Sequence, residues 1–314
     1  MKNQTLLRGF LLLRLTDSTV LLGLQAAFFS QVYLVAMLEN LMIILITVLD
    51  HHLHTPMYFF LRHLSFLDLC LISTTVPKCI LNSITLRESI SFFRCVCQIF
   101  LVVLLAGPEM GFLTYMSCDH YVAICHPLHY EAVMSKRCCV QLMAVSWLSG
   151  GALGIFCSAR MFSLEFCGSN RIHQFFCDVS ALLELTCSEE RVVVSVSLAF
   201  GVLYGFSCLV CIVVSYVFIF STVLKIPSRQ SQSKAFSTCV PQLVVMGTFL
   251  LTGVAAYLKP SSNAPPLLDV LCSAFYTVAP PALNPIVYCL RNRDIESALS
   301  KVLRNVRRGL REGY

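Results

Sequence analysis

Three carboxylic acids interrupt otherwise apolar stretches of this 314-residue chain: Glu39, Asp68 and Glu109. An ionisable group at membrane depth is costly, so each is a candidate for function. Asn40 and Asn284 add amides at similar depth. If the stretches carrying Asp68 and Glu109 form neighbouring helices, the two carboxyls face each other. Such a pair does not hold two full charges without a cation. It shares a proton or binds sodium, or as a protonated, hydrogen-bonded pair it only fixes helix packing. A catalytic dyad is disfavoured because nothing beside it would hold a substrate. No HExxH zinc pattern, GxSxG elbow or P-loop stands in the chain. Serines in apolar stretches have no placed base and usually bond back to a carbonyl one turn earlier. The chain reads as a non-enzyme that needs no cofactor and has no nucleic-acid partner.

Cysteines are the next reactive group, 17 in all. Most, such as Cys70, Cys208, Cys211 and Cys272, sit in apolar stretches, where a thiol behaves as a small hydrophobe. Cys95, at the start of the third apolar stretch, and Cys167, Cys177 and Cys187 in a long connector stand apart. Four thiols allow three pairings, and spacing does not choose among them. A bridge from Cys95 would staple that connector over whatever the helices form. No Cys/His cluster has zinc spacing, since His51, His52 and His54 share one short loop.

Composition supplies the elements that must position these groups. Hydrophobic residues make up 57% and charged residues 13%, against roughly 25% charged in soluble domains. Mean hydropathy is +0.75. A bilayer core requires about 20 apolar residues per helical span. That ruler gives seven spans, near Leu21–Leu49, Met57–Leu81, Cys95–Ile124, Cys138–Ala159, Val192–Leu224, Ala235–Leu258 and Leu267–Leu290. The expectation is an all-α integral membrane protein, a seven-transmembrane helix bundle with a short amphipathic C-terminal helix. Residues 1–20 form the extracellular N-terminus, 21–290 the bundle and 291–314 a cytoplasmic tail. In that tail Ile295, Leu299, Val302, Leu303 and Val306 alternate with Arg and Lys, a pattern suited to lie along an anionic leaflet.

Orientation rests on three signals. Lys and Arg are modestly more numerous in the loops and tail on the C-terminal side. Asn3-Gln4-Thr5 is a glycosylation acceptor, which works only on the lumenal side. The cysteine-rich connector suits an oxidising compartment. All three place the N-terminus outside a cell membrane. Pro280, Pro281 and Pro285 crowd the seventh span, where Asn284 would fill the opened hydrogen-bond ladder. Pro108 is a second interior break beside Glu109.

Several motifs, in order from residue 40 to 295, resemble the olfactory receptors within the rhodopsin-like G-protein-coupled receptors. Leu53-His54-Thr55-Pro56-Met57-Tyr58-Phe59-Phe60-Leu61 and Leu64-Ser65-Phe66-Leu67-Asp68-Leu69-Cys70 match the first inner loop and second helix. The run from Met116 to Tyr130 matches the end of the third. Lys234-Ala235-Phe236-Ser237-Thr238-Cys239 and Pro281-Ala282-Leu283-Asn284-Pro285-Ile286-Val287-Tyr288 match the sixth and seventh, and Ser215-Tyr216 the fifth. The resemblance implies disulfides Cys95–Cys177 and Cys167–Cys187. It also implies an odorant pocket in the outer half of the bundle, between the third, fifth, sixth and seventh helices.

On helical spacing, Val103, Ala106, Gly107 and Met110 form one stripe that could line such a pocket. Phe200, Tyr204, Leu250, Gly253, Val254, Tyr257 and Thr277 are the matching candidates elsewhere. An apolar wall with few hydroxyls suits small, neutral, hydrophobic volatile ligands. The resemblance further implies that a ligand favours outward movement of the sixth helix at its inner end. That movement admits a heterotrimeric G protein of the stimulatory olfactory type, which raises cAMP. Asp119, His120, Tyr121, Tyr216, Asn284, Pro285 and Tyr288 are the implied switch residues, and Asn40, Asp68 and Glu109 the buried polar or sodium site.

Departures from the family pattern carry information. The family's Asp-Arg-Tyr is here Asp119-His120-Tyr121. Arg is permanently charged whereas His is not, so a second expectation is a seven-helix member with impaired coupling. Glu39 replaces a usual Gly, and Gln242 a common His. A transporter or intramembrane enzyme is disfavoured, because the charged residues form neither a through-path nor a reactive constellation.

Overall fold

A computed structural model describes residues 9–12, 18–86, 89–161, 171–172, 174, 176–179, 182, 185–186, 191–257, 266–291, 295–301 and 304. Side chains at 161, 191–198, 234, 238, 249–250, 252–257, 266–273, 276 and 289–291 lie outside the description. Seven long helices follow one another: α1 (Thr19–Leu49), α2 (Pro56–Thr85), α3 (Phe92–Cys125), α4 (Lys136–Met161), α5 (Arg191–Val223), α6 (Arg229–Tyr257) and α7 (Pro266–Arg291). Five of them, α1 to α5, are long and apolar enough to cross a membrane on length and composition alone. The other two, α6 and α7, pack against the rest.

Local chemistry sets the helix ends. Asp50 stops α1, and its Oδ1 accepts from the His52 N–H at 3.1 Å, starting a one-turn 3-10 helix, His51–Leu53. Pro56 opens α2 at the first helical position, where its missing N–H costs nothing. Ser91, Ser135 and Ser228 accept through Oγ from the backbone N–H three residues on, at the starts of α3, α4 and α6. The Ser228 cap begins α6 six residues before the apolar run marked it. A cap followed by a polar first turn leaves no hydrophobic signal.

The bundle is apolar on its outside and sets a group of polar side chains within an otherwise apolar interior, unlike a soluble domain. Leu24, Phe28, Leu34, Leu38 and Leu45 of α1 and Val202, Phe206, Val213 and Val217 of α5 are exposed. Asn40, Asp68, Glu109, Gln242 and Asn284 are buried. Only a lipid environment accommodates that inversion over so many helical turns. α3 runs through the centre, touching α2, α4, α5 and α6, while α7 closes against α1, α2 and α6.

Small residues bring α3 and α4 together. A Cβ on Gly107 would lie 3.2 Å from the Gly150 Cα, and one on Gly111 would lie 2.6 Å from the Ser146 Oγ. Pro108 does not break α3, which continues to Cys125. Its missing N–H frees the Leu104 carbonyl. Gly150 meets that carbonyl so closely that a Cβ there would be 2.8 Å from the oxygen.

A three-stranded sheet at one end adds to the all-α expectation. β1 (Phe10–Leu12) lies between β2 (Ser89–Ile90) and β3 (Arg171–Ile172), antiparallel to the first and parallel to the second. Phe10 and Leu12 are buried with Ile90, Cys95, Ile99, Ile172 and Cys177, so part of the 1–20 segment belongs to a packed cap. At the opposite end residues 295–301 are helical. Ile295 and Ala298 face inward, Glu296, Ser297 and Ser300 outward, and Lys301 Nζ lies 3.4 Å from Asp50 Oδ2. The hydrogen bond from the His52 N–H and, to a smaller extent, this ammonium hold the Asp50 carboxyl below its usual range.

Candidate functional site

α2, α3 and α7 meet around a buried polar cluster. Asn284 Nδ2 donates to Asp68 Oδ2 at 3.0 Å and lies 3.4 Å from Oδ1. Glu109, on the facing side of α3, is near enough for its charge to repel that of Asp68. Among the described residues Glu109 Oε1 and Asn284 Oδ1 are buried and accept no hydrogen bond. A buried cluster with more acceptors than donors is a place where a proton or a cation is favoured.

Asn40 plays a different part from the one expected of Asn284. Pro285 has no N–H for the Pro281 carbonyl, and Asn40 Nδ2 of α1 donates to that oxygen at 2.9 Å and to the Ala36 carbonyl at 2.9 Å. The opened ladder of α7 is therefore closed from α1. Asn284 turns instead to Asp68.

Toward the tail end, Asp119 and His120 are buried near the end of α3. His120 Nδ1 lies 3.3 Å from Tyr216 Oη on α5 and Nε2 lies 3.5 Å from Met57 Sδ on α2. Asp119 Oδ1 accepts from Tyr130 Oη at 2.8 Å. Burial pushes the Tyr130 phenol above its ordinary range, and the Asp119 carboxylate pushes it further. Tyr121 turns outward, its Oη 3.0 Å from His126 Nε2. Two residues outside the sequence-derived switch set join here. Gln242 of α6 donates through Nε2 to the Leu113 carbonyl of α3 at 2.8 Å and accepts through Oε1 from Tyr288 Oη of α7 at 2.8 Å. It ties three helices, and its only sequence signal is a neutral amide where the resemblance expects His. Leu128, on the 3-10 turn Pro127–His129, is 96% exposed at the same end.

At the sheet end the sulfurs of Cys95 and Cys177 are bonded. Gln98 holds the same loop, its Oε1 accepting from the Cys177 N–H at 2.9 Å while Nε2 donates to the Thr74 carbonyl at 2.9 Å. Val103 packs under this cap. Ala106 is half-buried and Met110 buried in the core. Tyr204 reaches from α5 to α3, donating to the Gly107 carbonyl at 3.4 Å. Thr277 is buried and donates to the Ala274 carbonyl at 3.4 Å. Two pocket candidates move. Gly107 faces Gly150 of α4, and Phe200 is 63% exposed on the outer side of α5, because spacing within one helix does not fix how that helix is rotated against its neighbours. The side chains of Leu250, Val254 and Tyr257, the contacts of Gly253, and all of Asn3, Cys167 and Cys187 lie outside the described residues.

Seven long helices that bury a set of polar groups, with a cross-linked cap at one end and a tyrosine-rich cluster at the other, define a heptahelical membrane protein. The family model described as "Olfactory receptor" matches residues 29–306. The human protein Olfactory receptor 14K1 is 66% identical over 307 residues, 98% of each chain. Human Olfactory receptor 14A16 is 49% identical over 304 residues, covering 97% of this chain and 98% of the relative. The chain belongs to the olfactory receptor family. It is thus a multi-pass odorant receptor of a G-protein-coupled family and not an enzyme.

Proposed function

We propose that this receptor binds small, neutral, hydrophobic odorants in the sheet-end half of the bundle and signals through a stimulatory heterotrimeric G protein that raises cAMP. The N-terminus, residues 1–20, is then extracellular with Asn3 glycosylated, and residues 291–314 are cytoplasmic. The observation that carries this reading is the position of Val103. It sits on α3 under the Cys95–Cys177 cap, one turn above half-buried Ala106, and Tyr204 of α5 reaches the same helix at the Gly107 carbonyl. Thr277 and the α6 stripe of Leu250, Gly253, Val254 and Tyr257 complete the proposed lining. Asp119, His120, Tyr121, Tyr216, Asn284, Pro285 and Tyr288 form the switch, and Asp68, Glu109 and Asn284 the proton or sodium site. The test is an odorant panel on surface-expressed receptor read by cAMP. Responses to apolar volatiles that Val103→Trp abolishes support the reading, and responses confined to charged metabolites overturn it.

A second reading, weak G-protein coupling, is favoured by one observation. His120 is buried against Tyr216 and Met57 and leaves Asp119 to Tyr130, so no cation of α3 is set to release on activation. A cAMP response in the His120→Arg variant but not in the unmodified receptor would select it.

A further inference from the structure

Away from the odorant region and the switch, a groove opens at the tail end of the bundle where α1, α2 and α4 converge. Its apolar wall is Leu53, Pro56, Phe59 and Val140, and its polar rim is Arg62 and Lys136. Neither cation has an ion-pair partner among the described residues; Arg62 only stacks its guanidinium 5.8 Å above the Phe59 ring. Asp50, in the loop bordering the groove, is engaged by Lys301 and the His52 N–H. Lys136 stands in the first turn of α4, where the helix dipole adds positive potential. The apolar wall continues onto the exposed faces of Val48, Leu49 and Val140.

We infer that this groove binds one anionic glycerophospholipid, its headgroup phosphate between Arg62 and Lys136 and an acyl chain along Phe59 and Val140. Charge complementarity selects the occupant. The groove sets two cations beside an apolar wall, Arg62 next to Phe59 on α2 and Lys136 one turn before Val140 on α4. The basic C-terminal residues Arg304, Arg307, Arg308 and Arg311 carry the wrong sign to fill it. A zwitterionic lipid would leave its choline against two cations, and a sterol would leave both cations unanswered. An occupant so placed clamps the start of α2 to the start of α4, the helix that follows the loop presenting Tyr130 to Asp119. The inference rests on the membrane bundle and not on ligand type or coupling, so it survives if the proposed odorant chemistry fails.

The experiment uses purified full-length receptor in neutral detergent, titrated with dioctanoyl phosphatidylserine, with the thermal-unfolding midpoint as readout. A saturable rise is expected, because a ligand that binds only the folded state raises its stability. Arg62→Gln with Lys136→Gln should weaken the apparent affinity roughly thirtyfold, as loss of two headgroup-level cations would. Val140→Trp, which fills the groove and keeps both charges, should weaken it as well and covers the case in which the double variant fails to fold. Dioctanoyl phosphatidylcholine and glycerophosphoserine without acyl chains should not produce the rise. Equal responses to phosphatidylcholine or to the free headgroup overturn the inference. So does undiminished binding by the Val140→Trp receptor, or a loss that follows only from replacing the tail arginines.

Discussion

His120 Nδ1 lies 3.3 Å from Tyr216 Oη, joining α3 to α5 through a ring whose charge is not permanent. An Arg at 120 would bring a fixed cation beside Asp119, now held by Tyr130. The His120→Arg receptor should therefore give a ligand-evoked cAMP response at least about fivefold larger, the low end of usual coupling energies. Equal responses at matched surface expression would show that His120 does not limit coupling.

Removing the amide of Asn40 leaves the Pro281 carbonyl buried without a donor, since Pro285 cannot supply one. Asn40→Leu should cost about 1–3 kcal/mol, seen as a lower unfolding midpoint in detergent. A midpoint unchanged by the substitution would mean that water satisfies α7 there.

Gly150 admits no side chain. A Cβ would sit 2.8 Å from the Leu104 oxygen and 2.8 Å from Pro108 Cδ, neither of which can swing away. Gly150→Val should separate α3 from α4 at a cost of roughly 1–3 kcal/mol and lower the amount of folded receptor at the surface. Gly205→Ala, which meets nothing within 4 Å, is the matched control and should be tolerated.

The proposed proton or sodium site at Asp68, Glu109 and Asn284 is tested by ion dependence. If sodium, a concentration ten- to a hundredfold above its dissociation constant stabilises the receptor by about 1.4–2.7 kcal/mol, and Asp68→Asn removes the effect. Identical unfolding in sodium and choline chloride would leave the shared proton as the cluster's sole charge balance.

Asp50 supplies a pH test at the tail. Its carboxyl is held below the ordinary range, so the stabilisation it contributes is full above the unfolded carboxylate value, about 3.9, and is lost as pH falls through the lower folded value. Helix 295–301 should thus lose hydrogen-exchange protection near pH 3 more than at pH 7. In Lys301→Ala part of that difference should already be gone at pH 7. The same protection at both pH values would place its anchorage wholly in Ile295 and Ala298.

Seven apolar stretches of spanning length, and the carboxylates set among them, were legible in the chain because hydrocarbon imposes one simple length and composition rule on every crossing segment. Helix ends away from caps followed the same rule to within a few residues. The start of α6 did not, because its first turn is polar and Ser228 sets it through a backbone hydrogen bond. Sequence order also carried the family motifs, since they are local.

The partners of the polar groups were decided only in three dimensions. Whether Asn40 or Asn284 serves the Pro281 carbonyl depends on the rotation of α1 against α7, and periodicity within one helix does not contain that angle. The same applies to Gly107 and Phe200, whose faces are set by the close α3–α4 approach at Gly150 and by the lipid side of α5. The cap strand Phe10–Leu12 pairs with residues about 80 and 160 positions away, and strands of two or three residues leave no pattern in the chain. Composition determined which groups had to be buried. Helix rotation and long-range pairing determined which of them meet.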